Sequence, residues 1–151
     1  SARLPRLAVR PGRAARGTIT AIYTILVEVD YNAEPVADEL RSLLDGHILL
    51  SRELAQAGHF PAIDVLRSKS RVMDAVTEVA QQKQARQVST WLSKLKDIEL
   101  LVQVGEYQRG GAPVADAALD AKAAMDAFLR QAPDERSGFD ATKAALAGLS
   151  P

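Results

Sequence analysis

Cysteine is absent from this 151-residue chain. Its absence removes disulfides, thiolate metal sites and cysteine nucleophiles together, and accords with a reducing compartment. Histidine is scarce: His47 and His59 lie on different expected elements with no partner four residues away. No metal site is expected from them, and each reads as a solvated or hydrogen-bonded side chain. Net charge is also missing, since 19 basic residues balance 19 acidic ones. The whole chain therefore has no electrostatic pull toward nucleic acid or anionic lipid, and any such role would have to be local. No long hydrophobic run exists either. The longest, residues 19–29, includes Thr24 and Glu28 and is too short to cross a bilayer. The serines lack a G-x-S-x-G context, so no nucleophile elbow is expected.

What is present is enough apolar residue, 47% of the chain, to bury a core in one domain or two small ones. The amino-terminal stretch carries Arg3, Arg6, Arg10, Arg13 and Arg16 before the first acid, Glu28. Such a segment superficially resembles a transit peptide or a nucleic-acid arm, but Pro5, Pro11 and Gly12 oppose an amphipathic helix. An internal segment of a longer protein is the expectation. "GRAARGT", residues 12–18, comes near the phosphate-binding pattern G-x-x-x-x-G-K-[ST]. It lacks the lysine and precedes a strand-like run instead of following one, so it is not a P-loop.

The texture divides near residue 74. Residues 18–29, "TITAIYTILVEV", predict a strand buried on both faces of a parallel sheet. "DYNAEP" predicts a turn, and Pro35 opens a helix placing Val36, Leu40, Leu43 and Leu44 on one face before Gly46. "HILLS" predicts a short strand, "RELAQAG" a brief helix closed by Gly58, and "PAIDVL" a third extended piece. Beyond Asp74 no glycine or proline occurs until Gly105. Val88, Trp91, Leu92, Leu95, Ile98, Leu101 and Val102 step by three and four, predicting one long helix or a broken pair. Two more helices are expected, at residues 114–131 with Leu119, Met125, Phe128 and Leu129 inward, and at 139–149. The expected fold is α/β at 1–74 followed by an all-α bundle at 75–151. Asp38, Glu39 and Asp45 read as a solvated helix face.

One cluster stands out: Arg67, Lys69 and Arg71 fall within five residues with no acid among them. Surface ion pairing is the ordinary fate of such arginines. A set of specific words changes the reading of this one. "GTITAIYTILVE", "EPVADELRSLLDGHILLSRELA", "GHFPAIDVLRSKSRVM" and "ELLVQVGEYQRG" closely resemble, in order and spacing, the carboxyl-terminal part of type III secretion and flagellar export ATPases. These are relatives of the catalytic subunits of rotary ATP synthases. The resemblance covers nearly the whole chain and implies the last strands of a RecA-like P-loop NTPase core, followed by a helical carboxyl-terminal domain. In that family the P-loop, the catalytic glutamate and the Mg²⁺-associated aspartate lie upstream of such a segment, so ATP and Mg²⁺ are expected only for the intact enzyme.

The resemblance also implies roles. The arginine of the "SRVM" word, Arg71, would reach a neighbour's γ-phosphate within a homohexameric ring. A guanidinium suits charge developing on phosphoryl oxygens, and such fingers are worth roughly 10³ to 10⁵ in rate. Phe60, before "PAID", would stack on adenine, with ordinary core packing as the alternative. Phe139 carries a weaker form of the same implication. Implied partners are a central stalk coiled coil, a stator-type regulator and chaperone–effector complexes, met by the exposed face of residues 81–96 and the loop 106–113. The implied location is the bacterial cytoplasm, peripheral to the inner-membrane export apparatus, in an injectisome or a flagellum. A non-catalytic binding module for a stalk or chaperone is the alternative, as is the equivalent part of an ATP-synthase-type subunit. The chain departs from the family pattern at Val9, Pro11, Val29, Tyr31 and Lys69; Lys69, replacing an apolar residue, is expected to lean outward.

Overall fold

The computed structural model describes residues 12, 13, 15–26 and 35–149, the side chains of 35–38 excepted. Val9, Pro11, Val29, Tyr31, the turn before Pro35 and most of the arginine-rich start lie outside the described residues. The chain divides into two compact units, Ser1–His47 and Ile48–Pro151.

In the first unit, Arg13 and Thr18 form an isolated antiparallel bridge around Gly17, whose φ of 86° suits a residue without a Cβ. The amide of Ile19 donates to the Gly12 carbonyl at 3.0 Å. The glycine-rich word is thus a small turn, not a strand-to-helix cradle. The expected strand at 18–29 does not form a ladder over its described part. Residues 19–26 make no strand, and Ile22 and Leu26 are 91% and 88% exposed. The reason is physical: a strand buried on both faces needs a ladder of hydrogen-bonded neighbours, whereas the bridge at Thr18 is isolated. Helix α1 (Pro35–Leu43) starts at proline as expected and buries Leu40, while Leu43 faces solvent. A two-residue strand, β1 (Gly46–His47), follows.

The second unit starts with a short paired segment. Leu50 and Ile63 form an antiparallel bridge, flanked by bonds from Ser51 to the Ala62 carbonyl and from Asp64 to the Leu49 carbonyl. Helix α2 (Arg52–Gln56) lies between, with Ser51 Oγ accepting the Leu54 amide as its cap. "HILLS" and "PAIDVL" are therefore extended and joined by an isolated bridge with its flanking bonds, not by a long ladder. Strand β2 (Lys69–Ser70) and the one-turn helix α3 (Met73–Val76) lead into the bundle.

Three helices complete the unit: α4 (Val79–Gln103), α5 (Pro113–Leu129) and α6 (Phe139–Leu149). The long apolar stripe is one unbroken helix. Val88, Trp91, Ala118 and Met125 form the core, with Leu92, Leu95, Leu146 and Leu149 packed around it. Ala115 and Ala118 are buried where larger side chains would separate α5 from its neighbours. Leu119, Phe128 and Leu129, expected inward, are only half-buried, and Leu101 and Val102 are exposed. Helix α4 ends as a Schellman motif at Gly105, φ 74°: Glu106 donates to the Leu101 carbonyl and Gly105 to that of Val102. None of the described helices is long and apolar enough to cross a membrane.

Candidate nucleotide-facing site

Arg71 follows β2 directly and is exposed, as is Lys69, which leans outward as its charge requires. The loop before them is rigidly built. Asp64 of the "PAID" word accepts the Arg67 amide at 3.0 Å through Oδ1. Ser68 Oγ donates to the Asp64 carbonyl at 2.6 Å and accepts the Leu49 amide at 2.9 Å. An aspartate and a serine at these spacings turn the backbone by side-chain bonding, which presents the following residues outward. Arg71 lines an open pocket of about 260 Å³ with Ser70, Met73, Asp74, Gln82, Ala85, Arg86 and Ser89.

Phe60 is 55% exposed, so it is not a core residue of this chain. It precedes Pro61 through a cis peptide bond. Its carbonyl accepts the Gln131 amide at 2.9 Å, and Arg130 Nε donates to His59 Nδ1 at 3.4 Å. The end of α5 therefore pins the Phe60 loop, and His59 is a hydrogen-bonded histidine. Beyond that pin, Gln131 Nε2 donates to the Glu135 carbonyl and the Glu135 carboxylate accepts the Ala132 amide. This folded segment delivers Phe139 to the start of α6, where it is 68% exposed with the Lys143 ammonium 5.5 Å from its ring centroid. Phe60 and Phe139 are thus joined through residues 130–138, whereas Arg71 belongs to the pocket beside α3 and α4.

The loop 106–112 folds onto α5. Asp116 accepts from the Tyr107 hydroxyl at 2.9 Å and the Gly110 amide at 2.8 Å, while Arg109 pairs with Asp120 at 2.7 Å. Partial desolvation, then the bond to Asp116, push the Tyr107 phenol above its ordinary pKa. Asp116 also sits in the first turn of α5, where a negative charge complements the helix dipole.

Sequence reasoning missed Gln82. On a helix rich in glutamine it reads as a solvated residue, within the face assigned above to partner contact, yet it is 8% exposed. Its amide donates to the carbonyls of Asp74 and Thr77, and its Oε1 accepts from Arg86 Nη2. Nothing in the local pattern signals this, because the bonds depend on α3 turning back over α4. Among the described residues, no group of three His, Asp or Glu side chains could hold a metal ion.

Known proteins resemble this chain over nearly its whole length. Residues 1–70 match the family model of the ATP synthase alpha/beta family, nucleotide-binding domain. Residues 77–148 match that of the T3SS EscN ATPase C-terminal domain. A "Type 3 secretion system ATPase" of Sinorhizobium fredii (strain NGR234) is 50% identical over 141 residues, 93% of this chain and 31% of that protein. The assembled ATPase EscN of enteropathogenic E. coli superposes with a TM-score of 0.94 at 41% identity, over 98% of this chain and 36% of EscN. EscN in complex with its central stalk EscO matches at 0.89 and 40% identity, over 98% and 35%. The chain thus spans about a third of the length of the relatives it matches. With one model taking up where the other ends, the chain belongs to the type III secretion ATPases of the ATP synthase alpha/beta family and corresponds to their C-terminal domain and the stretch of nucleotide-binding domain before it.

Proposed function

We propose that this chain is the carboxyl-terminal part of a homohexameric ATPase powering type III protein export, and that Arg71 is its arginine finger. The observation that carries the reading is the likeness to assembled EscN across nearly the whole chain, TM-score 0.94. Arg71 supports it locally, since it is exposed directly after β2, which follows the turn held by Asp64 and Ser68. A planar, permanently charged fork placed outward can meet phosphoryl oxygens of ATP held by the adjacent subunit. The ring of Phe60, on a loop fixed by Gln131, stacks on adenine, and Phe139 contributes from the segment tied to that loop.

Phosphate cradling and Mg²⁺ ligation belong to a part upstream of this segment, with the domain division near residue 74. Among the described residues no cluster of three His, Asp or Glu side chains could hold the metal. The helical unit meets the central stalk, a stator-type regulator and chaperone–effector complexes, with the complex of EscN and EscO as the support for the stalk. The enzyme works in the bacterial cytoplasm beside the inner-membrane export apparatus.

Substituting Arg71→Ala in the complete ATPase tests the assignment. Turnover falls about 10³- to 10⁵-fold, while nucleotide affinity and the thermal transition stay near wild type. Full turnover overturns the finger. A second reading, a stalk- or chaperone-binding module without catalysis, is favoured by the self-contained core of α4–α6. An ATPase assay separates the two: the 151-residue chain alone is inactive on both readings, and only the export-ATPase reading gives hydrolysis once the upstream part is joined.

A further inference from the structure

The connection between Arg71 and the bundle is thinly held. Residues 72–78 comprise the single turn α3 and an extended link at Thr77, and α3 buries none of its residues. A four-residue helix leaves its carbonyls without partners in its own turn. Thr77 satisfies one of them, its amide and Oγ1 both bonding to the Met73 carbonyl at 3.0 and 2.6 Å. The carbonyls of Asp74 and Thr77 are left to α4, and one side chain takes both. Gln82 Nε2 donates to Asp74 O at 3.1 Å and to Thr77 O at 3.0 Å.

The other end of that amide is engaged as well. Gln82 Oε1 accepts from Arg86 Nη2 at 3.1 Å, and the same Nη2 lies 4.0 Å from Asp74 Oδ1. Two carbonyls on one side and a guanidinium on the other require the amide to be oriented as described. Only a glutamine or asparagine amide combines two donors with an acceptor, and asparagine is a methylene shorter. Gln82 is moreover the buried polar residue of the described chain, where each unmade bond carries its full desolvation cost.

We infer that Gln82 is a positioning residue for the transferred phosphoryl group's cation: it fixes the Asp74–Thr77 backbone to α4 and thereby sets where Arg71, three residues upstream, presents its guanidinium. The inference rests on the reading of Arg71 as the finger. It makes α4 the element through which the helical unit acts on catalysis, because any tilt of α4 carries the two carbonyls with it. Gln82 acts through the backbone and Arg71, since its amide is taken up by Asp74, Thr77 and Arg86.

The test uses the complete ATPase. Gln82→Leu and Gln82→Glu each lower kcat about 10- to 100-fold, the scale of a misplaced catalytic group, with KM for ATP within about two-fold. Gln82→Glu keeps the acceptor for Arg86 and loses both donors, so wild-type turnover in that variant overturns the proposal. Val88→Ala is the control, since it loosens the same helix by losing core packing without touching the loop. It leaves kcat within about two-fold; an equal fall there shows general destabilisation and overturns the proposal. Arg71→Ala is measured alongside. If it abolishes turnover while Gln82→Leu does not, the positioning role alone fails; if Arg71→Ala is fully active, the finger fails and takes the positioning role with it.

Discussion

Residues 19–26 and the bundle α4–α6 both carry large apolar side chains, and they meet solvent very differently. Ile22 and Leu26 stand almost wholly in water, whereas Val88, Trp91 and Met125 are buried. The difference lies in where each element finds its hydrogen bonds. A helix satisfies its backbone within its own segment, so three helices joined by short loops can assemble a core from adjacent sequence. A parallel-sheet strand satisfies nothing by itself and depends on neighbours from elsewhere in the chain. One region thus carries its own stability, and the other presents apolar side chains to solvent.

The largest effect expected on the self-sufficient side comes from Trp91→Ala. Removing this ring from between Val88, Ala118 and Met125 leaves a cavity, at a cost of about 3–5 kcal/mol. Urea titration followed by helical circular dichroism should show the midpoint falling steeply, and an unchanged midpoint would mean that α4–α6 are not held by this core. Asp116→Ala ranks next. It strips the acceptor from Tyr107 and Gly110 and a charge from the first turn of α5, costing about 1–3 kcal/mol. Hydrogen exchange localises that effect: the Gly110 amide loses protection while amides in the middle of α4 keep theirs. Arg109→Ala, by contrast, breaks only an exposed ion pair and should barely register.

These effects follow the same divide that governed what could be read from sequence. Helix α6 spans the residues its pattern predicts, and α5 lies within two residues of its expected limits, because spacing and caps are local signals. The loop around Asp64 was legible only as a word shared with a family; its geometry explains why an aspartate and a serine stand there. The extended segments were legible as apolar runs, but not how little ladder they form, since pairing depends on residues far away. Gln82 was illegible for a related reason. Its environment is made by α3 folding back, and no periodicity in α4 distinguishes it from Gln81 or Gln84.

The smallest expected effect tests the exposed side most directly. Ile22 is 91% exposed, so Ile22→Lys removes no packing from this chain and should change its stability by less than about 0.5 kcal/mol. Its visible consequence is colloidal: a charge on an exposed apolar run suppresses edge-to-edge association, so turbidity at high concentration falls. In the complete ATPase the proposed reading supplies neighbouring strands, and the same lysine then meets a sheet covered on both faces. Burying an ammonium there without a partner costs several kcal/mol, enough to lower the thermal transition clearly. The pair of measurements is informative because the substitution is identical and only the surroundings differ. A large loss in the isolated chain would show that residues 19–26 are packed in solution, and no loss in the complete enzyme would show that the strand is never completed.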